Sequence, residues 1–273
     1  EFSGHWSLAA DLLTFYIQAT QDQGALSVIP LFKAYYALTR GKVFGIESNE
    51  QEFTPQERLD ALDMASKFLD LAWSYAIQLQ SPTLILLCGL MGTGKTALGR
   101  YLSRELGAEM VRSDVLRKTL HGLDPEKRDT SDYGHGLYTQ KATRETYQAM
   151  LEEAAQKLNK GQSVILDASF SRRAYRQQAF DMAQSMGVRS VLVECVCAEE
   201  IIKSRLEYRE SKELDASDGR RSLFEAQKGN FQPVQEVGAN QHVIVDTAAD
   251  TLHRVGDNAI QAVLEALCRQ EGL

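Results

Sequence analysis

The chain has 273 residues, enough for one large domain or two smaller ones with cores of their own. An apolar share of 44% and a charged share of 25% are ordinary for a soluble globular protein, and no apolar run approaches the ~18 residues a membrane-spanning helix needs. The net charge of −7 argues against a long polyanionic partner, because duplex binding needs a basic surface, although a local basic cleft stays compatible with it.

The first eighty residues read as helix after helix. Leu8, Leu12, Phe15 and Ala19 form one apolar stripe, and Val28, Phe32, Tyr35 and Tyr36 form a second. Thr54, Pro55 and Glu57 combine a capping box with proline at the first helical position, which predicts a third helix with Leu62, Ala65, Leu69, Trp73 and Ala76 on its buried face. The pattern changes at Ser81-Pro82, so the expected division is a helical segment over 1–80 and a second domain over 82–273. In that second part strands are expected near 83–88, 109–113, 162–167, 189–196 and 242–246, with helical patterns between them. Such alternation implies an α/β domain with a parallel sheet covered on both faces. The N-terminus shows no basic segment followed by an apolar one and a cleavage site, and the expectation is a cytoplasmic protein without membrane contact. Cys88, Cys195, Cys197 and Cys268 have neither disulfide nor zinc spacing and are expected as reduced core thiols.

Gly89 to Thr96 fit G-x-x-x-x-G-K-[ST] at every fixed position. The unbroken apolar run Thr83 to Cys88 before them suits a strand buried on both faces. After them Leu98, Leu102 and Leu106 recur at helical spacing, and Gly107 offers a left-handed stop. Strand, glycine turn and helix in this order make a phosphate-binding loop, in which main-chain N–H groups and a helix N-terminus face phosphate oxygens. The residues expected to hold a nucleoside triphosphate are Gly89, Leu90, Met91, Gly92, Thr93, Gly94, Lys95, Thr96 and Ala97. Lys95 would reach the β- and γ-phosphates, and the Thr96 hydroxyl would ligate magnesium.

Four further segments carry chemistry. Met110 to Arg117 is a short strand ending in Asp114, with Arg117 one helical turn on; Asp114 is placed either to activate an acceptor hydroxyl or to cap the helix it begins. Ser163 to Asp167 is an apolar strand ending in a carboxylate, the pattern that sets a second acidic group beside magnesium. Phe170, Arg172, Arg173 and Arg176 open a helix just past it, where solvated arginines are the default and an anionic neighbour the alternative. Arg205 and Arg209, ahead of the polar run Glu210 to Arg221, suit a segment that closes over the phosphates and offsets charge on a transferred group. Of the histidines, His121 and His135 lie in the stretch expected to line an acceptor site, and neither is marked as a base.

Taken together, Gly89 to Thr96, Arg112-Ser113-Asp114-Val115-x-Arg117-Lys118, Val164 to Phe170 and Arg205-Leu206-x-x-Arg209 resemble the P-loop kinase-like ATPases of the zeta-toxin, polynucleotide-kinase and gluconate-kinase neighbourhood, over residues 82 to about 250. Within that group the chain is most similar to the ATP-binding domain fused behind an aminoglycoside-phosphotransferase-like domain in bacterial proteins, whose last helices Leu8 to Val43 resemble. The resemblance implies a P-loop fold with a five-stranded sheet in the order 2-3-1-4-5. It also implies that Asp114 activates the acceptor, that Arg117 contacts substrate, and that Arg205 and Arg209 are lid arginines. The expected activity is transfer of the γ-phosphoryl group of ATP, with Mg2+, to a hydroxyl of a small molecule. Two alternatives stand beside it, a kinase of 5′-hydroxyl nucleic-acid ends and a non-catalytic ATP-binding module that regulates an adjacent phosphotransferase-like domain. Residues 118 to 140 match no family pattern that names the acceptor.

Overall fold

The computed structural model describes residues 6–22, 24–76, 81–124, 139–212, 221–248 and 251–270. Residues 1–80 and 81–273 form two compact units.

The first unit contains helices α1 (Trp6–Thr20), α2 (Ala25–Glu47) and α3 (Pro55–Ala76). The capping box forms: Thr54 N–H donates to Glu57 Oε2 at 2.8 Å, and Glu57 N–H donates to Thr54 Oγ1 at 3.3 Å. The face that α3 buries is not the expected one. Ala65, Phe68, Ala72 and Tyr75 are buried, and with Ala37 of α2 they form the core of this unit, while Leu62, Leu69, Trp73 and Ala76 are exposed. Two apolar lines run side by side on α3: Phe68, Ala72 and Tyr75 of one cluster with Ala37, while Leu69 of the other still reaches α2, where a Cβ on Gly41 would lie 3.0 Å from it. The stripes on α1 and α2 are likewise on the surface, with Leu12 and Phe15 each 68% exposed and Phe32 65% exposed.

In the second unit the strands are β1 (Thr83–Cys88), β2 (Glu109–Arg112), β3 (Val164–Asp167), β4 (Arg189–Val196) and β5 (His242–Asp246). They pair in parallel in the order β2-β3-β1-β4-β5. The helices are α4 (Lys95–Leu106), α5 (Ser113–Leu120), α6 (Gln140–Asn159), α7 (Arg173–Ser185), α8 (Glu199–Lys212), α9 (Arg221–Asn230) and α10 (Leu252–Gln270). Leu84, Leu86 and Cys88 of β1 face Met150 and Ala154 of α6 and Ala179 and Ala183 of α7 in one core. Leu87 points to the opposite side, where Gly99 of α4 packs so closely that a Cβ there would lie 2.6 Å from Leu87 Cδ1. Every residue of β1 is therefore buried, which explains its unbroken apolar run.

On the α4 side the last helix, α10, docks through Gly256. A Cβ at 256 would come within 2.2 Å of the Tyr101 ring, and the Tyr101 hydroxyl donates to Asp257 Oδ1 at 2.6 Å. Two strand limits differ from expectation: β2 stops at Arg112, so Asp114 lies within the first turn of α5 and is not its cap, and β3 starts at Val164. Only Cys88 and Cys195 are core thiols; Cys197 is half-buried and Cys268 exposed. No helix among the described residues is long and apolar enough to cross a membrane.

Candidate functional site

The loop between β1 and α4 curls as the glycine pattern requires. Gly89 has φ +136°, and a Cβ on it would sit 2.4 Å from the Cys195 carbonyl oxygen of β4, so only glycine fits. Gly94, at φ +85°, starts α4, which ends on Gly107 at φ +63°. Lys95 is the first residue of α4, and its Nζ donates to the Leu90 carbonyl at 2.7 Å. The Thr93 hydroxyl donates to the same oxygen at 2.7 Å.

Behind the loop, the carboxyl ends of β2 and β3 bring charge together. Arg112 and Asp167 are register partners on adjacent strands, and Arg112 Nε stands 3.6 Å from Asp167 Oδ2. The Thr96 hydroxyl donates to that same oxygen at 2.7 Å. Burial pushes the Asp167 carboxyl above its ordinary range, against the pull of Lys95, the Thr96 hydrogen bond and Arg112; the nearby Asp114 charge adds to the rise. Thr96 and Asp167 thus present two hard oxygen donors side by side, a chemistry that suits a hard cation such as magnesium. Among the described residues no group of three or more His, Cys, Asp or Glu side chains could hold a metal by itself.

Asp114 and Arg117 share one face of α5 and form an ion pair of 3.4 Å, with Arg117 largely buried. Nearby, Tyr147 of α6 stacks on Tyr175 with ring centroids 4.1 Å apart and accepts the Phe170 N–H at 3.1 Å. Burial raises the Tyr147 hydroxyl to about 12, so it stays protonated at neutral pH. Phe170 has φ +44°, and the turn it occupies after β3 is tied to the loop by the Gly89 N–H, which donates to the Ser169 carbonyl at 3.1 Å.

Of the three arginines that open α7, Arg172 and Arg173 are exposed and Arg176 is not solvated at all. Arg176 makes a fully buried two-pronged pair with Glu236 and donates to the carbonyls of Phe170 at 2.8 Å and Gln232 at 2.9 Å. The solvated reading is overturned here because a carboxylate arrives from 60 residues along the chain. Arg205 sits over the end of the loop, its guanidinium donating to the Thr247 carbonyl at 2.6 Å and lying 3.5 Å from the Gly92 carbonyl. Arg209 lies on α8 with its side chain outside the described residues, as are 213–220 of the polar run and His135. His121 is exposed after the end of α5.

Two residues with no motif reach the loop. Thr247, just past β5, donates from its hydroxyl to the Thr93 carbonyl at 2.6 Å. Gln227 of α9 accepts the Met91 N–H at 2.7 Å. Both contacts join segments more than a hundred residues apart, so no local spacing announces them.

A parallel sheet in this order, a glycine loop ahead of α4 and carboxylates at neighbouring strand ends define a P-loop kinase-like fold. The chain belongs to the AAA_33 family of AAA domains, whose profile matches residues 84–234. It is 26% identical over 217 residues to the uncharacterised protein Rv2004c of Mycobacterium tuberculosis, covering 80% of this chain and 42% of that one. The uncharacterised protein Mb2027c of Mycobacterium bovis matches to the same extent, so the chain spans less than half the length of these relatives. Among solved structures, Kti12 of Chaetomium thermophilum in complex with ADP-AlF3 superposes with a TM-score of 0.51 at 17% identity, over 67% of this chain and 98% of that one. A sugar kinase from Janibacter sp. superposes with a TM-score of 0.50 at 19% identity, over 69% of this chain and 97% of that one.

Proposed function

We propose that the protein moves the γ-phosphoryl group of ATP to a hydroxyl of a small molecule. The observation that carries this reading is the Thr96–Asp167 contact beside Lys95, with Asp114 and Arg117 on the helix that follows the neighbouring strand β2. Gly89 to Ala97 would wrap the triphosphate with main-chain N–H groups, and Lys95 would hold its β- and γ-oxygens. Thr96 and Asp167 would hold Mg2+, which neutralises phosphate charge when bound. Asp114 takes the proton of the acceptor hydroxyl as its oxygen bonds to the γ-phosphorus and the bond to ADP breaks. Arg117 holds the acceptor or the moving group, and Arg205 and Arg209 offset charge that develops during transfer. There is little covalent work for the protein, so positioning and electrostatics supply the acceleration. The fold's occurrence in a sugar kinase and in a complex with ADP-AlF3 supports the substrate class.

The test is ATP turnover by the full chain over a panel of hydroxyl acceptors that includes a 5′-hydroxyl oligonucleotide. Lys95→Ala is expected to lower acceptor-dependent turnover about 100-fold or more, and Asp114→Asn by a similar factor. Full turnover by Asp114→Asn removes the base role. A second reading, in which ATP regulates an adjacent phosphotransferase-like domain, is favoured by the exposed apolar residues of α1 and α2, a surface of the kind that partner domains cover. Hydrogen exchange over residues 6–76 with and without ATP tests it, and an unchanged pattern rejects it.

A further inference from the structure

The peptide between Leu90 and Met91 is held at both edges. Its carbonyl accepts from Lys95 Nζ, and its N–H donates to Gln227 Oε1, each at 2.7 Å. A trans peptide is a rigid plane with C=O and N–H on opposite edges, so fixing one edge orients the other. The Lys95 ammonium has three N–H donors; the Leu90 carbonyl takes one and leaves two for phosphate oxygens. The direction of those two donors therefore depends on how the plane is turned; Thr93 holds it at the carbonyl edge through its hydroxyl at 2.7 Å and its N–H at 3.3 Å, and an acceptor from α9, 136 residues along the chain, holds it at the N–H edge.

The surroundings make this a built contact. Phe224, one turn before Gln227, is buried with Ile202 and Leu206 of α8, and Leu90 and Met91 pack against that cluster. Lys228 pairs with Glu199 at the start of α8. Beyond α9, Gln232 N–H donates to the Ser171 carbonyl at 2.8 Å, and Gln232 Oε1 accepts the Arg173 N–H at 2.7 Å. Those bonds fasten α9 to the turn after β3, the same turn that receives the Gly89 N–H. Gln227 thus reaches the loop from an element anchored on either side of it. The orientation of its amide is set too, since only the oxygen can accept from a main-chain N–H.

We infer that Gln227 is a positioning residue of the nucleotide site: by holding the Met91 N–H it keeps the Leu90 carbonyl turned to Lys95 and aims the ammonium at the β- and γ-phosphates. This rests on the phosphate-binding reading of the loop and adds to it a residue that touches neither nucleotide nor acceptor. Gln227→Met keeps length and bulk but removes the acceptor, leaving the Met91 N–H without its partner and the peptide held at its carbonyl edge alone.

The experiment is calorimetric titration of the full chain with MgATP, for wild type, Gln227→Met, Lys95→Ala and the double variant, with thermal unfolding of each as a check on folding. Loss of one hydrogen bond predicts an ATP Kd raised about 5- to 10-fold by Gln227→Met in the wild-type background. Because the effect runs through Lys95, the same substitution is expected to change Kd by less than about 2-fold when Lys95 is already alanine. A general weakening of the fold would lower affinity equally in both backgrounds and lower the unfolding midpoint; that result, or no loss in the first background, overturns the inference. A wild-type chain that binds no MgATP overturns the phosphate-binding reading itself, which keeps the two failures distinct.

Discussion

The two units of this chain use apolar residues in opposite ways. In β1 all six residues are buried, with Leu84, Leu86 and Cys88 packed on one side of the sheet and Leu87 against α4 on the other. On α1 and α2 Leu12, Phe15, Phe32, Tyr35 and Tyr36 are exposed, and the core of their unit is Ala37, Phe68, Ala72 and Tyr75. Periodicity tells which residues share a face of a helix; whether that face is covered depends on what packs there.

Substitutions that sharpen or break this contrast can be ranked. The largest loss of stability is expected from Arg176→Ala, which leaves Glu236 buried without its cation and should cost about 3–5 kcal/mol in denaturant unfolding followed by circular dichroism. Leu86→Ala should follow at about 2–5 kcal/mol, since a fully buried strand residue next to α6 and α7 leaves a cavity. Phe32→Ala removes a larger side chain, yet at 65% exposure it should stay within about 0.5 kcal/mol. Trp6 and Trp73 both lie in residues 1–80, so tryptophan emission reports on that unit for Phe32→Ala. A cost for Phe32→Ala equal to that of Leu86→Ala would erase the distinction drawn between the two units.

The smallest effect concerns thiols. Burial raises Cys88 and Cys195 from the ordinary 9.0 to about 12, so neither should react with an alkylating reagent near neutral pH while the chain is folded, whereas exposed Cys268 should. The sign for stability follows: a folded thiol that ionises later than the unfolded one adds stability that is complete below 9.0 and is lost as pH rises toward 12. Mass spectrometry of labelled peptides and unfolding midpoints across alkaline pH measure both; rapid labelling of Cys88 would show that β1 is open to solvent.

Much of the second unit was legible in the sequence because its signals are local. Thr83 to Cys88 followed by Gly89 to Thr96 states strand, turn and helix in one stretch, and in the first unit Thr54 with Glu57 likewise states a helix start in four residues. The contacts of Asp167 with Thr96 and Arg112 follow once strand order is known, since adjacent parallel strands end side by side. Arg176, Gln227 and Thr247 were not legible, because their partners Glu236, Met91 and Thr93 lie far along the chain or in a segment without pattern. Arg205 was recognised by its spacing, but its anchoring on the Thr247 carbonyl was not, for the same reason.

The seat of α10 on Tyr101 also bears on chemistry. Tyr101 lies less than two turns along the helix whose opening residues are Lys95 and Thr96, and its ring rests on bare backbone at Gly256. Even one methyl group at that spot would act as a shim, tilting the shaft that carries the ammonium and the hydroxyl and shifting their aim from the far side of the sheet.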